Sequence, residues 1–257
     1  MMIYAQIDWY DDEDVALTEI AQSKQRLVSE SRENLKKLTR FTHGIFICDS
    51  DILLDAYLKP GRYFHCYHPM FKYYRGIITV WNDDEDFYYD RYDWWFIKPI
   101  FKGDFNPMVL SKEQLKTWSF TKPRYLCEYM RFITEYRILV YRGRMFAYSE
   151  YSIPDGYYKG PTEFGKIHIP FPYEYVRVLL TSRPELSYII DIGYCPDKRD
   201  WVIVELNPPF SFSYYHIPPR VALDYYRLIF SDNKHLRETL DRLCGYISSD
   251  IRDKKAK

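Results

Sequence analysis

No stretch of this sequence is apolar over the roughly 18 consecutive residues that a helix needs to cross a bilayer, so we expect no membrane span. Cysteine is scarce and unpaired: five cysteines lie at positions 48, 66, 127, 195 and 244, an odd number without paired spacing. This pattern favours reduced thiols in an intracellular, cytoplasmic protein. The first residues are acidic where a secretory signal would be basic and then apolar, so we expect no such signal.

An excess of charge of either sign is also missing. The 36 basic and 36 acidic residues cancel to a formal net charge of zero. Nucleic acids and anionic membranes attract clustered positive charge. The balance therefore argues against a general nucleic-acid binder and against a membrane-surface protein.

Three common nucleotide and metal motifs are absent as well. The chain contains no G-x-x-x-x-G-K-[ST] phosphate loop, no G-x-G-x-x-G dinucleotide motif and no H-E-x-x-H zinc motif. The segment His65-Cys66-Tyr67-His68 offers soft metal ligands, but its spacing matches no standard zinc pair and no second pair accompanies it. A transition-metal site of a common kind is therefore not expected.

Aromatic residues, by contrast, are abundant, with 27 tyrosines and 16 phenylalanines. Tyrosine pairs such as Tyr73-Tyr74 could stack on nucleic-acid bases. Basic residues are not concentrated alongside these pairs. The favoured interpretation is therefore tyrosine in half-buried strand positions, with an apolar body and a polar tip.

Hydrophobic spacing predicts an α+β chain. Residues 13–39 carry apolar side chains at roughly helical intervals, which fits one long helix or a broken pair. Short strands and turns are predicted over 43–81, and a further strand over 94–100. Later helices are predicted over about 111–119, 172–181, 218–230 and 232–246.

The clearest hairpin spans residues 136–150. Its two strands flank Arg142-Gly143, a tight turn in which glycine supplies a positive φ. The simplest register places Arg137 opposite Tyr148. It likewise pairs the two glutamates at positions 135 and 150.

A second hairpin, 188–208, ends in oxygen-bearing side chains. With a five-residue loop over 196–200, the pairing places Asp191 opposite Glu205. Glu205 and Asn207 share one face of their strand, about 7 Å apart. Three hard oxygen ligands at one end of an apolar hairpin predict a magnesium site. The alternative is that these polar groups only terminate their strands.

Five segments then follow one another along the chain: Phe96-Ile97-Lys98-Pro99, Cys127-Glu128-Tyr129, Glu135-Tyr136-Arg137, Asp191, and Glu205-Leu206-Asn207-Pro208. This ordered set resembles the ATP-grasp superfamily, particularly its divergent clades. Those clades include small viral and bacterial ligase-like proteins and the eukaryotic assembly chaperone for a translation initiation factor. The resemblance covers residues 93–230.

The resemblance implies a two-lobe core of antiparallel sheets with flanking helices, which clasps ATP and magnesium between the lobes. This core would occupy 93–247, with a hinge near 126–129. An N-terminal α/β portion would occupy 1–92, and residues 248–257 would form a basic tail.

The resemblance also implies the roles of individual residues. Lys98 would reach a phosphate as a point charge, and Arg137 would clamp a γ-phosphate or acyl phosphate, which makes these two the candidate catalytic residues. Magnesium would be held by Asp191, Glu205 and Asn207. The nucleotide contacts would come from Lys98, Lys102, Cys127, Glu128, Tyr129 and Arg137.

Other interpretations of the same residues stay open. Lys98 could be a surface lysine at a strand end, and Glu128 an exposed loop acid. Arg137 could form a cross-strand ion pair with a neighbouring acid. The longer glycine-rich phosphate loop of the family is reduced here to Phe101–Asp104.

The implied function is an ATP-dependent ligase. ATP would phosphorylate a substrate carboxylate, and an amine would attack the acyl phosphate, with ADP released. The acceptor would be a carboxylate-bearing small molecule, a peptide or a protein. The alternative is an ATP-binding assembly chaperone that grips a partner protein with little turnover.

Overall fold

Three sheets with flanking helices make up the computed structural model of the protein, which confirms the predicted α+β class. None of the helices it describes is both long and apolar enough to cross a membrane. The structure describes residues 2–6, 27–41, 44–48, 52–53, 77–80, 86–100, 104–151, 169–181, 185–210 and 215–243.

The N-terminal sheet is parallel, in the order β2-β1-β3, with β1 (Met2–Gln6), β2 (Leu27–Glu30) and β3 (Gly44–Ile47). Helix α1 (Arg32–Phe41) follows β2. The prediction of one uninterrupted helix over 13–39 is therefore wrong. The four residues of β2 pair in register with β1, and this long-range pairing overrides the helical spacing of the local sequence.

The second sheet, here called the β5 sheet, is antiparallel and runs in the order β4-β7-β5-β6. The Ser111 Oγ accepts the Gln114 backbone N–H and the Gln114 side chain accepts the Ser111 N–H, so a capping box starts the predicted helix. The elements are β4 (Ile77–Val80), a 3-10 turn (Asp86–Arg91), β5 (Trp94–Pro99), β6 (Met108–Ser111), α2 (Lys112–Thr117) and β7 (Arg124–Glu128).

The third sheet, here called the β10 sheet, is antiparallel in the order β11-β10-β8-β9. Both predicted hairpins lie in it. Arg142 and Gly143 adopt positive φ angles of 49° and 71°, as the tight turn between the first two strands requires. The strands are β8 (Thr134–Tyr141), β9 (Arg144–Tyr151), β10 (Tyr188–Cys195) and β11 (Asp200–Asn207).

The register of the β8–β9 hairpin differs from the predicted one. Arg137 lies opposite Ser149 and Glu135 opposite Tyr151, each one residue further along β9 than expected. The cause is a bulge in which Phe146 is an extra residue without an opposite partner. The bulge reassigns which β9 side chain lies beside Arg137.

The predicted C-terminal helices are confirmed within the described residues. They are α3 (Tyr173–Leu180), α4 (Pro219–Ser231) and α5, which covers 233–243. Proline near the start of α4 suits a first turn, where its missing N–H costs no hydrogen bond.

Both faces of the β10 sheet are covered. On one face Leu139 and Ile189 join a core shared with the N-terminal sheet and α4. On the other face Ile138 and Ile190 join a core shared with α3 and residues of the β5 sheet. Side chains alternate between these faces, so a polar residue at either face is an exception that requires partners.

Candidate functional site

The predicted pairing of Asp191 with Glu205 is confirmed, although the hairpin reaches it differently. The loop contains four residues, 196–199, rather than five, which shifts the register by one. A bulge with Val204 as the extra residue then shifts it back. The two differences offset each other, and the two carboxylates lie opposite one another as expected.

A row of polar side chains crosses the whole β10 sheet. Ser149 on β9 lies opposite Arg137 on β8, Arg137 opposite Asp191 on β10, and Asp191 opposite Glu205 on β11. Directly opposite residues share a face of the sheet. These four residues, here called the polar row, therefore line one otherwise apolar face.

Arg137 and Asp191 form a buried, two-pronged ion pair. The Arg137 Nε donates to Asp191 Oδ1 at 2.8 Å, and Nη2 donates to Oδ2 at 2.7 Å. Arg137 is 7% exposed and Asp191 1%. The guanidinium carbon also lies 4.8 Å from the ring centre of Tyr215. The geometry is thus the cross-strand ion pair that the sequence left open for Arg137.

Burial raises the pKa of the Asp191 carboxyl above its ordinary value, while the charge and hydrogen bonds of Arg137 oppose this shift. The nearby Glu205 carboxylate raises the pKa further, and the Lys98 ammonium lowers it. The Asp191 carboxyl therefore senses all three charged neighbours.

Lys98 connects the two antiparallel sheets. It extends from β5, and its Nζ lies 3.0 Å from Glu205 Oε1 on the edge strand of the β10 sheet. Lys98 is only 6% exposed, so the surface-lysine interpretation is wrong. This contact places the end of the polar row at the junction between the sheets. Lys102, the second lysine predicted to bind phosphate, lies outside the described residues.

Asn207 lies two residues beyond Glu205 on β11 and is 5% exposed. Together with Asp191 and Glu205 it offers two carboxylates and one amide oxygen. The described residues contain no group of three or more His, Cys, Asp or Glu side chains arranged to hold a metal. The donor types fit a magnesium ion that shares its coordination with phosphates and water, rather than an all-protein metal cage.

The predicted hinge segment lies at the end of β7. Cys127 is fully buried and pairs with strands on both sides, whereas Glu128 pairs only with β5. The Lys198 Nζ donates to Glu128 Oε2 at 2.7 Å, so Glu128 is an ion-paired residue rather than a solitary loop acid. The Tyr129 N–H donates to the Trp94 carbonyl at 3.2 Å. The strand pairing of β7 thus ends within the segment predicted to contact adenine.

Sequence reasoning missed three neighbours of the site: Ser149, Lys198 and Tyr215. Ser149 was hidden by the bulge at Phe146, which no composition signal marks. Lys198 lies in the four-residue turn, where its charge indicated solvent. Tyr215 reaches Arg137 through the tertiary fold, and no sequence pattern could have identified it.

This fold and site define a class of protein. Residues 85–225, more than half of the 257-residue chain, match the model of an ATP-grasp domain family, which is the second family of its clade. The chain belongs to the ATP-grasp superfamily, and within it to this clade family. No curated protein sequence matches the chain.

Solved structures share the fold at low sequence identity. The RimK domain ATP-grasp protein of Sphaerobacter thermophilus is 9% identical with a TM-score of 0.50, over 93% of this chain and 99% of that one. The ADP complex of N5-carboxyaminoimidazole ribonucleotide synthetase, PurK, is 11% identical with a TM-score of 0.55, over 89% and 76%. The macrocyclase MdnC of Microcystis aeruginosa, bound to its precursor peptide MdnA, is 12% identical with a TM-score of 0.50, over 90% and 100%.

Proposed function

We propose that the protein binds ATP and magnesium at the junction of the β5 and β10 sheets and acts as an ADP-forming carboxylate–amine ligase. The contact between Lys98 and Glu205 supports this proposal most strongly. It brings a buried cation of one sheet to the acidic end of the polar row on the other. Membership of the ATP-grasp superfamily adds the expectation that a nucleotide occupies this junction.

In this proposal the cations bind phosphate oxygens and the acids hold the metal. Lys98 and Arg137 contact the transferring phosphoryl group, where positive charge offsets the charge spread over its oxygens. A bound magnesium ion would neutralise the triphosphate and polarise the phosphoryl oxygens. Its ligands are Asp191, Glu205 and Asn207, and the remaining nucleotide contacts come from Lys102, Cys127, Glu128 and Tyr129.

The reaction proceeds in two displacements. A carboxylate oxygen of the acceptor attacks the γ-phosphorus of ATP, the bond to the β–γ bridging oxygen breaks, and ADP leaves. An amine then attacks the acyl carbon, inorganic phosphate leaves with the electron pair of the carbon–oxygen bond, and the nitrogen loses a proton. Both displacements develop negative charge on oxygen atoms that the guanidinium of Arg137 can bind through its planar fork.

The test is an assay of ADP formation with ATP, magnesium and a pool of amino acids or peptides. The ligase proposal expects ADP only when both a carboxylate and an amine are supplied. Tight ATP binding without ADP would replace it with the assembly-chaperone function. A protein that binds no nucleotide would contradict both.

A further inference from the structure

We propose that the site carries its own counterions, so that a divalent cation enters it only together with the phosphates of a nucleotide. This inference rests on the proposed function, because it concerns the same ATP and magnesium site. It specifies how the protein's own cations regulate access of the metal to its ligands.

The charges at the site cancel within the protein. Asp191 is paired with Arg137 through two hydrogen bonds of 2.7 and 2.8 Å, and Glu205 is paired with Lys98 at 3.0 Å. The two acidic metal ligands are thus matched by two cations. A metal ion that approaches this arrangement alone meets no net negative charge.

Burial makes this pairing costly to disrupt. Arg137, Asp191 and Lys98 are each less than a tenth exposed. In such surroundings charge interactions are several-fold stronger than in water, and a buried charge that loses its partner is strongly destabilising. A lone divalent cation that displaced Arg137 from Asp191 would leave a buried guanidinium without its carboxylate and next to two further positive charges.

A nucleotide removes this obstacle. Its phosphate oxygens offer Arg137 and Lys98 new anionic partners of the kind that guanidinium and ammonium groups bind well. The carboxylates of Asp191 and Glu205 are then released towards a metal that the same phosphates carry. The change is an exchange of ion pairs, in which every charge keeps a partner throughout.

The opposite behaviour follows for a protein without one of the cations. Lys98→Met keeps most of the apolar stem but removes the ammonium group, so Glu205 is left without its Lys98 partner. The variant should gain affinity for a free divalent cation while it loses affinity for nucleotide. From the charge removed at this distance we expect a gain of about tenfold or more in metal affinity.

The experiment uses the full chain and Mn²⁺, whose paramagnetic resonance signal disappears on binding. Wild-type protein is titrated with Mn²⁺ alone and with Mn²⁺ plus a non-hydrolysable ATP analogue, against protein-free mixtures of the same composition. Nucleotide binding is followed separately with a fluorescent ATP analogue. We expect the wild type to bind Mn²⁺ only when nucleotide is present, and Lys98→Met to bind Mn²⁺ without it.

Lys198→Ala is the matched control, because it removes the lysine partner of another partly buried glutamate, Glu128, whose ion pair measures 2.7 Å. It should gain no Mn²⁺ affinity, since Glu128 has no second metal ligand beside it in the proposed site. Equal gains in both variants would overturn the inference, because any unpaired carboxylate would then suffice. A folded Lys98→Met variant without a gain would overturn it too.

The wild-type titration decides the question even if Lys98→Met does not fold, which circular dichroism would reveal. Nucleotide binding combined with equally tight Mn²⁺ binding in the absence of nucleotide would overturn this inference alone. Absence of nucleotide binding would refute the proposed function and, with it, the inference that rests on it. Nucleotide-dependent Mn²⁺ binding supports both.

Discussion

Two sets of ion pairs in this molecule have the same chemistry and similar distances but very different surroundings. Lys112–Asp93 and Lys116–Asp90 bridge α2 to neighbouring segments of the β5-sheet lobe at 2.8 and 2.7 Å, with both aspartate side chains more than three-quarters exposed. The pair Arg137–Asp191 has a distance of 2.7 Å but lies in the core of the β10 sheet. Distance therefore cannot separate a functional pair from an incidental one, whereas burial can.

The reason is the cost of removing charge from water. An exposed pair gains little, because water already solvates each partner and salt screens their attraction. A buried pair has lost that solvation, and each partner depends on the other. A fold that retains such a pair bears a cost that apolar residues would avoid, which favours a role in binding over a role in stability.

Arg137→Met should give the largest loss of stability. It leaves the Asp191 carboxylate buried without its main partner, and we expect the free energy of unfolding to fall by about 3–5 kcal/mol. Urea unfolding followed by circular dichroism measures this. The double variant Arg137→Met/Asp191→Leu should recover most of the loss without restoring nucleotide binding. If Arg137→Met were as stable as the wild type, the pair would not be buried as described.

Glu205→Gln should affect binding far more than stability. Its side chain is 23% exposed, so the neutral amide is tolerated, but a metal ligand and the partner of Lys98 are lost. We expect magnesium-dependent ATP affinity to fall by roughly tenfold or more, since even an indirect partner of a metal has effects of this size. Calorimetric titration with a non-hydrolysable ATP analogue and magnesium is the measurement.

Glu174→Gln on the exposed face of α3 is the matched control for that variant. Glu174 pairs with Arg177 at 2.8 Å, and its side chain is 81% exposed. It should leave ATP affinity unchanged. Unchanged affinity in Glu205→Gln as well would remove Glu205 from the metal site.

His235 is an intermediate case between the buried and the exposed pairs. Its Nε2 lies 2.8 Å from the Ser187 hydroxyl, and burial lowers the pKa of the imidazole below its usual 6.5, with Arg142 lowering it further. The folded protein therefore resists a proton that the unfolded chain accepts, so stability should decline as pH falls through about 6.5. Urea midpoints between pH 8 and pH 5 test this.

The matched variants for that pH series are His235→Gln and His216→Gln. The first should flatten the decline, because it removes the group whose protonation the fold resists. His216 is exposed, so its replacement should leave the decline in place. A decline that persists in His235→Gln would assign the pH dependence to other groups.

The sequence predicts the elements around the site well and their fine pairing less well. Alternation and turn residues were sufficient to place Asp191 opposite Glu205 and to start α2 at Ser111. They could not reveal the bulges at Phe146 and Val204, since a bulge is a backbone adjustment that no residue type requires. Each bulge changes which side chains become neighbours.

Contacts between distant segments were the hardest to predict. The sequence allowed Lys98 to be either a surface residue or a phosphate ligand, and only the packing of two sheets shows it buried against Glu205. The strand at Leu27–Glu30 was likewise missed, because its reason is the neighbouring β1. Local patterns predict elements, whereas burial and partners depend on the assembled fold.

Lys112→Ala should give the smallest effect and thereby sharpen the contrast with Arg137→Met. The Lys112 Nζ donates to Asp93 at 2.8 Å, but the Asp93 side chain is 80% exposed, so water replaces the lysine at once. We expect a urea midpoint indistinguishable from that of the wild type and unchanged ATP affinity. A loss as large as that of Arg137→Met would show that burial does not separate the two sets of ion pairs, and the case for a binding role of the polar row would lose its physical basis.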